Sequence, residues 1–252
     1  MARQTGLLRF KGTLDGLTFY KTKDGNLVRT KGGVEKDRIM NDPAFIRTRE
    51  NMQEFSNTAS SGKLLRKTAR TLMMTAKDTK VTSRLTKVMS QIKNLDGTSA
   101  RGERSVGVGI TNPSALELLK GFDFNDRAPL STVLFAPYVL NPANGEVTIN
   151  PFVAINDLTF DAAATHVTFK AAYAKIDFLN NEADIQYSPE TNLPIDATVN
   201  NVVLTPVAAP TTPGGGGNDI YLLQVQFFQE VNGLQYSLKN GAYNVLNVLD
   251  IV

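Results

Sequence analysis

His166 is the only histidine in 252 residues, and there is no cysteine. The side chains that most often move protons or attack carbon are therefore nearly absent. A Ser-His-Asp arrangement could use only His166, which opens an alternating, strand-like run, and no Gly-x-Ser-x-Gly elbow supplies the serine. Disulfides, zinc–thiolate sites, iron–sulfur clusters and cysteine nucleophiles are excluded. Asp123-Phe124-Asn125-Asp126 lacks the spacing, the glycine and the glutamate of an EF-hand loop. Ser61-Gly62-Lys63 has Asn57 where a P-loop needs its first glycine and Leu64 where it needs Ser or Thr. Gly107-Val108-Gly109 has Asn112 in place of the third glycine of a dinucleotide loop. Asp157, Asp161, Glu182 and Asp184 could pair for acid–base work, but acids solvated at strand edges are the commoner use of such residues. The expectation is a protein that is not an enzyme and uses no metal and no cofactor.

Cations are the stronger signal. Lys63, Arg66, Lys67 and Arg70 recur at steps of 3, 1 and 3 and so share one helix face, and Lys77, Lys80, Arg84 and Lys87 continue the series. Clustered cations of this kind bind phosphates and gain from counterion release. These eight residues are the candidate nucleic-acid contacts. No helix-turn-helix or RNA-recognition signature accompanies them, so any such contact is expected to be independent of base sequence. The net charge of +3 hides an asymmetry. Residues 1–104 hold 22 Lys and Arg against 10 Asp and Glu, whereas residues 105–252 hold 5 against 14. Opposite charge on two parts of one chain also suits contacts between copies.

The elements that would position these residues follow from local pattern. Residues 7–31 read as a three-stranded meander of Leu7–Thr13, Leu17–Lys23 and Asn26–Lys31, with turns at Asp15-Gly16 and Asp24-Gly25. Its apolar face is expected to be Leu8, Phe10, Leu17, Phe19 and Leu27. So small a sheet has little core of its own and must dock elsewhere, which makes those five residues candidate subunit-docking positions. Residues 42–94 read as helices opened by Asp42-Pro43. The first has an apolar stripe of Phe45, Met52, Phe55 and Ala59 and a break near Ser60-Ser61-Gly62. Another carries Val81, Leu85, Val88, Met89 and Ile92 at clean helical spacing. The polar run from Asp96 to Arg104 reads as the domain boundary.

Asn112-Pro113-Ser114 introduces a short helix that stops at Gly121. Beyond it the pattern alternates with period two. Strands are expected over 131–140, 146–149, 166–178, 183–187, 198–204, 220–231, 234–238 and 245–252, with turns at Asn144-Gly145, Asn232-Gly233 and Asn240-Gly241. Pro206 to Gly217 reads as a mobile surface loop. The fold class expected is α+β: a basic β-hairpin arm (1–33), a basic helical region (34–104) and an acidic antiparallel β-sandwich, Ig-like or jelly-roll-like (105–252).

The opening also resembles a group of uncharacterised proteins encoded in Bacteroidetes genomes, phage-associated ones among them. The residues that carry the resemblance are Gly6-Leu7-Leu8, Lys11-Gly12, Gly16-Leu17-Thr18-Phe19-Tyr20, Asp24-Gly25, Lys31-Gly32-Gly33 and Asn41-Asp42-Pro43-Ala44-Phe45. It covers roughly the first 70 residues and implies a basic hairpin region followed by helices and a β-rich tail. It implies no activity and no site residues.

Together these readings favour a self-assembling structural protein, a virion, capsid or shell component, that forms homo-oligomers. The alternative is a nucleic-acid-binding protein, and a carboxylate-only enzyme stands third. No apolar stretch long enough for a signal peptide or a membrane span follows Met1. A cytoplasmic or virion location without a membrane partner is expected.

Overall fold

The computed structural model describes residues 2–6, 8–22, 25–30, 32–238 and 241–252. The chain divides into two compact units, 1–49 and 50–252, and the division falls inside a helix. The turns expected at Asp24-Gly25 and Asn240-Gly241, and the strand ends at Leu7, Lys23 and Lys31, involve residues outside those described.

The first unit holds a four-stranded antiparallel sheet in the order β1-β4-β3-β2, from β1 (Ala2–Arg3), β2 (Gly12–Leu14), β3 (Leu17–Thr22) and β4 (Gly25–Thr30). Asp15 and Gly16 join β2 to β3 with positive φ at both positions, as a tight hairpin requires. Three expectations change here. Strand β2 starts at Gly12, so Leu8 and Phe10 lie outside the strands, although the Phe10 ring packs on Phe19 with centroids 5.7 Å apart. Strand β1 was not legible. Phe19 pairs with Val28 while Leu27 pairs with Tyr20. Because paired residues share a face, Leu14, Leu17, Phe19 and Val28 lie together and Leu27 lies on the opposite face with Arg29. Helix α1 (Lys36–Asn41) follows. In the next turn, Pro43–Phe45, the Asp42 side chain accepts from the Ala44 N–H at 2.9 Å. Among the described residues of 2–49 no side chain is buried.

The second unit is built in three layers. Its centre is a pair of long strands, β7 (His166–Asp177) and β11 (Asn218–Val231), aligned over eleven consecutive residue pairs. Strands β8 (Glu182–Tyr187) and β9 (Thr191–Pro194) flank β7. Strands β12 (Leu234–Ser237) and β13 (Val245–Ile251) flank β11. Val167, Phe169, Ala171 and Tyr173 of β7 and Tyr221, Leu223, Val225 and Phe227 of β11 face a second sheet. That sheet has the order β10-β6-β5, from β5 (Tyr138–Asn141), β6 (Glu146–Val153) and β10 (Val199–Leu204). The alternate residues, Ala172, Ala174, Ile176, Ile220 and Leu222, face helices. A strand buried on both sides must be apolar along its covered stretch, as residues 171–174 of β7 and 220–223 of β11 are.

The helical layer consists of α2 (Ile46–Thr68), of which Glu50 onward belongs to this unit, α3 (Arg70–Met73), α4 (Val81–Asn94), α5 (Val106–Gly109) and α6 (Pro113–Leu119). Two further single turns are α7 (Leu130–Val133), which packs on β13, and α8 (Ala154–Asp157), which packs on β6, and α7 stands where strand was expected. The periodicity of α4 holds: Val81, Leu85, Met89 and Ile92 are all buried. That of α2 does not. Ser60-Ser61-Gly62 is continuous helix, with Gly62 against Leu85 and Met89, and the break falls at Ala69. The buried positions of α2 are Glu54, Thr58, Ser61, Gly62, Leu64 and Leu65, while Met52 and Phe55 are turned to solvent. Phe55 is 64% exposed.

Glu54 accounts for that inversion. Its carboxylate takes the Lys93 ammonium at 2.5 Å and the Gly102 N–H at 2.9 Å. The Lys93 bond first, then that of Gly102, holds the Glu54 carboxyl below its usual range. Beside it, Asp96 accepts from the N–H groups of Thr98, Ser99 and Ser105. Burial alone would raise the Asp96 carboxyl, but the bonds from Ser99, Ser105 and Thr98 outweigh it and hold the group well below the carboxylate range. The boundary expected at 96–104 is therefore corrected. This segment is fastened to α2 and α4, and one core joins residues 64–124 to strands 172–251. The Pro206–Gly217 loop, expected to be mobile, makes specific contacts with the β7–β8 hairpin. Asp184 takes the Thr211 N–H, Glu182 takes the Gly214 N–H, and Gly217 packs on the Ile176–Asp177 backbone with no room for a Cβ.

The Glu54–Lys93 pair yields two predictions. Lys93→Met leaves a buried carboxylate without its partner, and urea denaturation should show a loss of about 3–5 kcal/mol, most of which Glu54→Leu in the same chain restores. Glu54 and Asp96 both have carboxyls lowered in the folded state. Their stabilisation is thus complete above the ordinary carboxylate range and is lost as pH falls through it. Unfolding midpoints measured against pH should drop below about pH 4, and Asp96→Asn should flatten that limb.

Candidate functional site

The cations of α2 are positioned by the helix's buried side. With Leu64 and Leu65 fixed in the core, Lys63 and Lys67 must emerge one turn apart on the outward side. Both line a cleft of about 500 Å³ whose other walls are Asn57, Ser60, Ser61 and Leu64 of the same helix, Ser105, and Phe178, Leu179 and Asn181 at the β7–β8 turn. No acid lines it. A shallower groove of about 350 Å³ continues past Lys67 and Thr68 to Asn181, Ala183, Asp184 and Ile185, and there Asp184 closes the basic stretch. Amide, hydroxyl and ammonium donors around one acid-free cleft suit an anionic oxygen ligand.

The other predicted cations divide. Lys77, Lys80 and Lys87 are exposed, and Arg70 is exposed on α3, beyond the break in α2. Among the described residues none of these, nor Lys63 or Lys67, has an ion-pair partner. Arg66 is half-buried and bends back to give its Nε–H to the Gly62 carbonyl at 3.2 Å. Arg84 is otherwise employed. It pairs with Asp78, donates to the Asp123 carbonyl at 2.7 Å and lies over the Phe122 ring at 5.1 Å. Asp78 also takes the N–H groups of Lys80 and Asp126. Burial works against the Asp78 carboxylate, but these bonds outweigh it and keep its carboxyl low. Arg84 thus ties α4 to the 122–126 segment and is not offered to a ligand.

The rejected motifs have structural explanations. A Cβ on Gly109 would lie 2.2 Å from the Ile92 carbonyl oxygen, and one on Gly107 would lie 2.7 Å from the Leu179 backbone. Both glycines permit close packing. The four acids considered as catalytic pairs each brace a turn or loop: Asp157 takes the Val153 N–H, Asp161 that of Ala163, Glu182 that of Gly214 and Asp184 that of Thr211. His166 Nδ1 meets the Thr165 hydroxyl at 3.0 Å, and its Nε2 lies 3.6 Å from Glu230. Among the described residues no group of three or more His, Asp or Glu could hold a metal ion. No helix among them is long and apolar enough to cross a membrane. The walls supplied by Asn57, Ser105 and Asn181 were missed, because they come from three places in the sequence and none stands out alone.

No protein-family model matches the chain, and neither a curated protein nor a solved structure matches it.

Charge reversal separates the two kinds of cation. Lys63→Glu with Lys67→Glu should leave the melting temperature within a degree or two, as exposed substitutions usually do, yet lower the salt needed to elute the protein from heparin. Arg84→Ala should do the reverse, costing about 1–3 kcal/mol in chemical denaturation with little change in elution.

Proposed function

We propose that the chain is a non-enzymatic structural protein that assembles with copies of itself, a phage virion or shell component, and that residues 1–33 form its docking arm. The observation that carries this reading is the absence of any buried side chain among the described residues of 2–49. Leu8 is 77% exposed, Leu14 65% and Phe10 58%, and a groove of about 260 Å³ runs between Phe10, Gly12, Leu14 and Phe19. Covering each such side chain is worth about 1.5–3 kcal/mol, a gain this sheet does not obtain within its own unit. The outward Met52 and Phe55 of α2 add apolar surface of the same kind. A second copy suits the arm by charge. Residues 1–49 carry 11 Lys and Arg against 5 Asp and Glu, while residues 105–252 are acidic. The resemblance of residues 6–45 to Bacteroidetes and phage-associated proteins accords with the reading.

A second reading, binding of nucleic acid without base preference, is favoured by one feature: the acid-free cleft around Lys63 and Lys67. A coat protein would combine the two.

Light scattering after size exclusion tests the leading reading. The full chain should elute as an oligomer, and a chain lacking residues 1–33 should elute as a folded monomer. Leu8→Asp with Leu14→Asp should give the same monomer with an unchanged circular dichroism spectrum. Unchanged assembly in both variants would overturn the arm's role.

A further inference from the structure

A second cleft is lined by Asp123, whose backbone carbonyl accepts from α4's Arg84, and no sequence motif marks it. Its volume is about 570 Å³, within the usual range for small-molecule sites. Asp123, at its base, is held rigidly. Its Oδ1 accepts from the Leu130 N–H at 3.0 Å and from Asn247 Nδ2 at 2.7 Å. Its Oδ2 has no hydrogen bond among the described residues. The nearby guanidinium of Arg84 is already paired with Asp78. Burial pushes the Asp123 carboxyl above its usual range, against the bonds from Asn247 and Leu130. Leu130, Leu134 and Leu249 form apolar walls. At the rim stand two aromatic rings that the fold leaves open, Phe135 at 57% exposure and Tyr138 at 40%. Lys120 also lines the cleft, its ammonium 3.0 Å from Asp250.

We infer that this cleft binds a neutral, polyhydroxylated ring, a saccharide. The lining decides the class. An anion would meet the Asp123 carboxylate, and a cation would meet the Lys120 ammonium. A wholly apolar ligand would strip water from Asp123 Oδ2 and return no hydrogen bond. A sugar has hydroxyls to donate to that oxygen and to accept from Lys120 and Ser131. It also has a C–H face to lay on an aromatic ring. Tyr138 sits on β5, an edge strand bonded on one side to β6, so its ring is carried by the scaffold rather than by a loop. The site is independent of the assembly reading and uses none of the arm's residues.

The test is calorimetric titration of the full chain with neutral tetrasaccharides of glucose, galactose, mannose and N-acetylglucosamine, with tetralysine and tetraglutamate in parallel. At least one saccharide should bind with a Kd below about 1 mM, and neither charged peptide should. Tyr138→Ala and Phe135→Ala, both exposed and expected to melt as the parent does, should each weaken that binding about tenfold, as loss of an aromatic anchor does. Asp123→Asn should weaken it as well. Failure of all four saccharides, binding that survives both aromatic substitutions, or preference for a charged peptide would overturn the proposal.

Discussion

Strands β7 and β11 are covered on both faces along their central stretch, and the rest of residues 50–252 answers to that constraint. A pair of strands apolar on both sides cannot be completed by one layer. One side is covered by the β10-β6-β5 sheet, with Phe152 edge-on to Phe169 at 5.1 Å. The other is covered by helices, with Leu65, Leu85, Met89 and Ile92 against Ala172, Ala174 and Leu222. The small residues of β7 on the helical side, Ala172 and Ala174, leave room for helices to approach. On the other side Phe169 and Tyr173 fill the space between two sheets.

Polar groups hold these layers in register. Gln224 is the one long polar side chain on the helical side of β11's buried stretch, and it donates to the Leu72 carbonyl at 3.0 Å and the Thr75 hydroxyl at 2.8 Å. Asn244 takes the Phe227 N–H at 3.2 Å and donates to the Leu238 carbonyl at 2.9 Å. A partner for each buried donor removes the main cost of placing it there. Acids repeat the pattern at the loops, where carboxylates collect backbone N–H groups. Residues that could resemble a catalytic set in a list of carboxylates are thus accounted for as braces.

Much of the architecture was legible because it rests on period. The alternation of β7 and β11 marks them as strands with a core face, though not the second, helix-covered face, and the spacing of Val81, Leu85, Met89 and Ile92 marks α4. Asp15-Gly16 and Asn232-Gly233 mark hairpins by their positive φ. The phase of α2 was not legible. Its inward face carries Glu54, Thr58 and Ser61, and only the distant Lys93 and Gly102 make the burial of Glu54 favourable. Gly102 read as part of a linker, and Gly107 and Gly109 as a broken dinucleotide loop, because composition cannot separate a flexible glycine from one pressed against a neighbouring residue. Leu27 was placed on the wrong face because a shift of one residue in register reverses every side chain. At the sites, Lys63 and Lys67 were visible as helix spacing. The employment of Arg84 was not, since Asp78 stands outside the helix, and the Asp123 cleft gathers residues from 120 to 249.

The helical layer also constrains the order in which the protein can form. Leu64, Leu85 and Ile92 leave the ribosome early, but the strand surface that covers them includes Ile220, Leu222, Leu246 and Val248. More than 150 residues separate the two ends of that contact. At translation speeds of about 5–20 residues per second, the helices wait roughly ten to thirty seconds with their apolar sides uncovered. Long-range pairing of this kind slows folding. During that interval the polar inner face of α2 limits how much oil-like surface the nascent chain presents to its neighbours. A helix whose buried side is partly polar in the finished fold is, during synthesis, the less adhesive one.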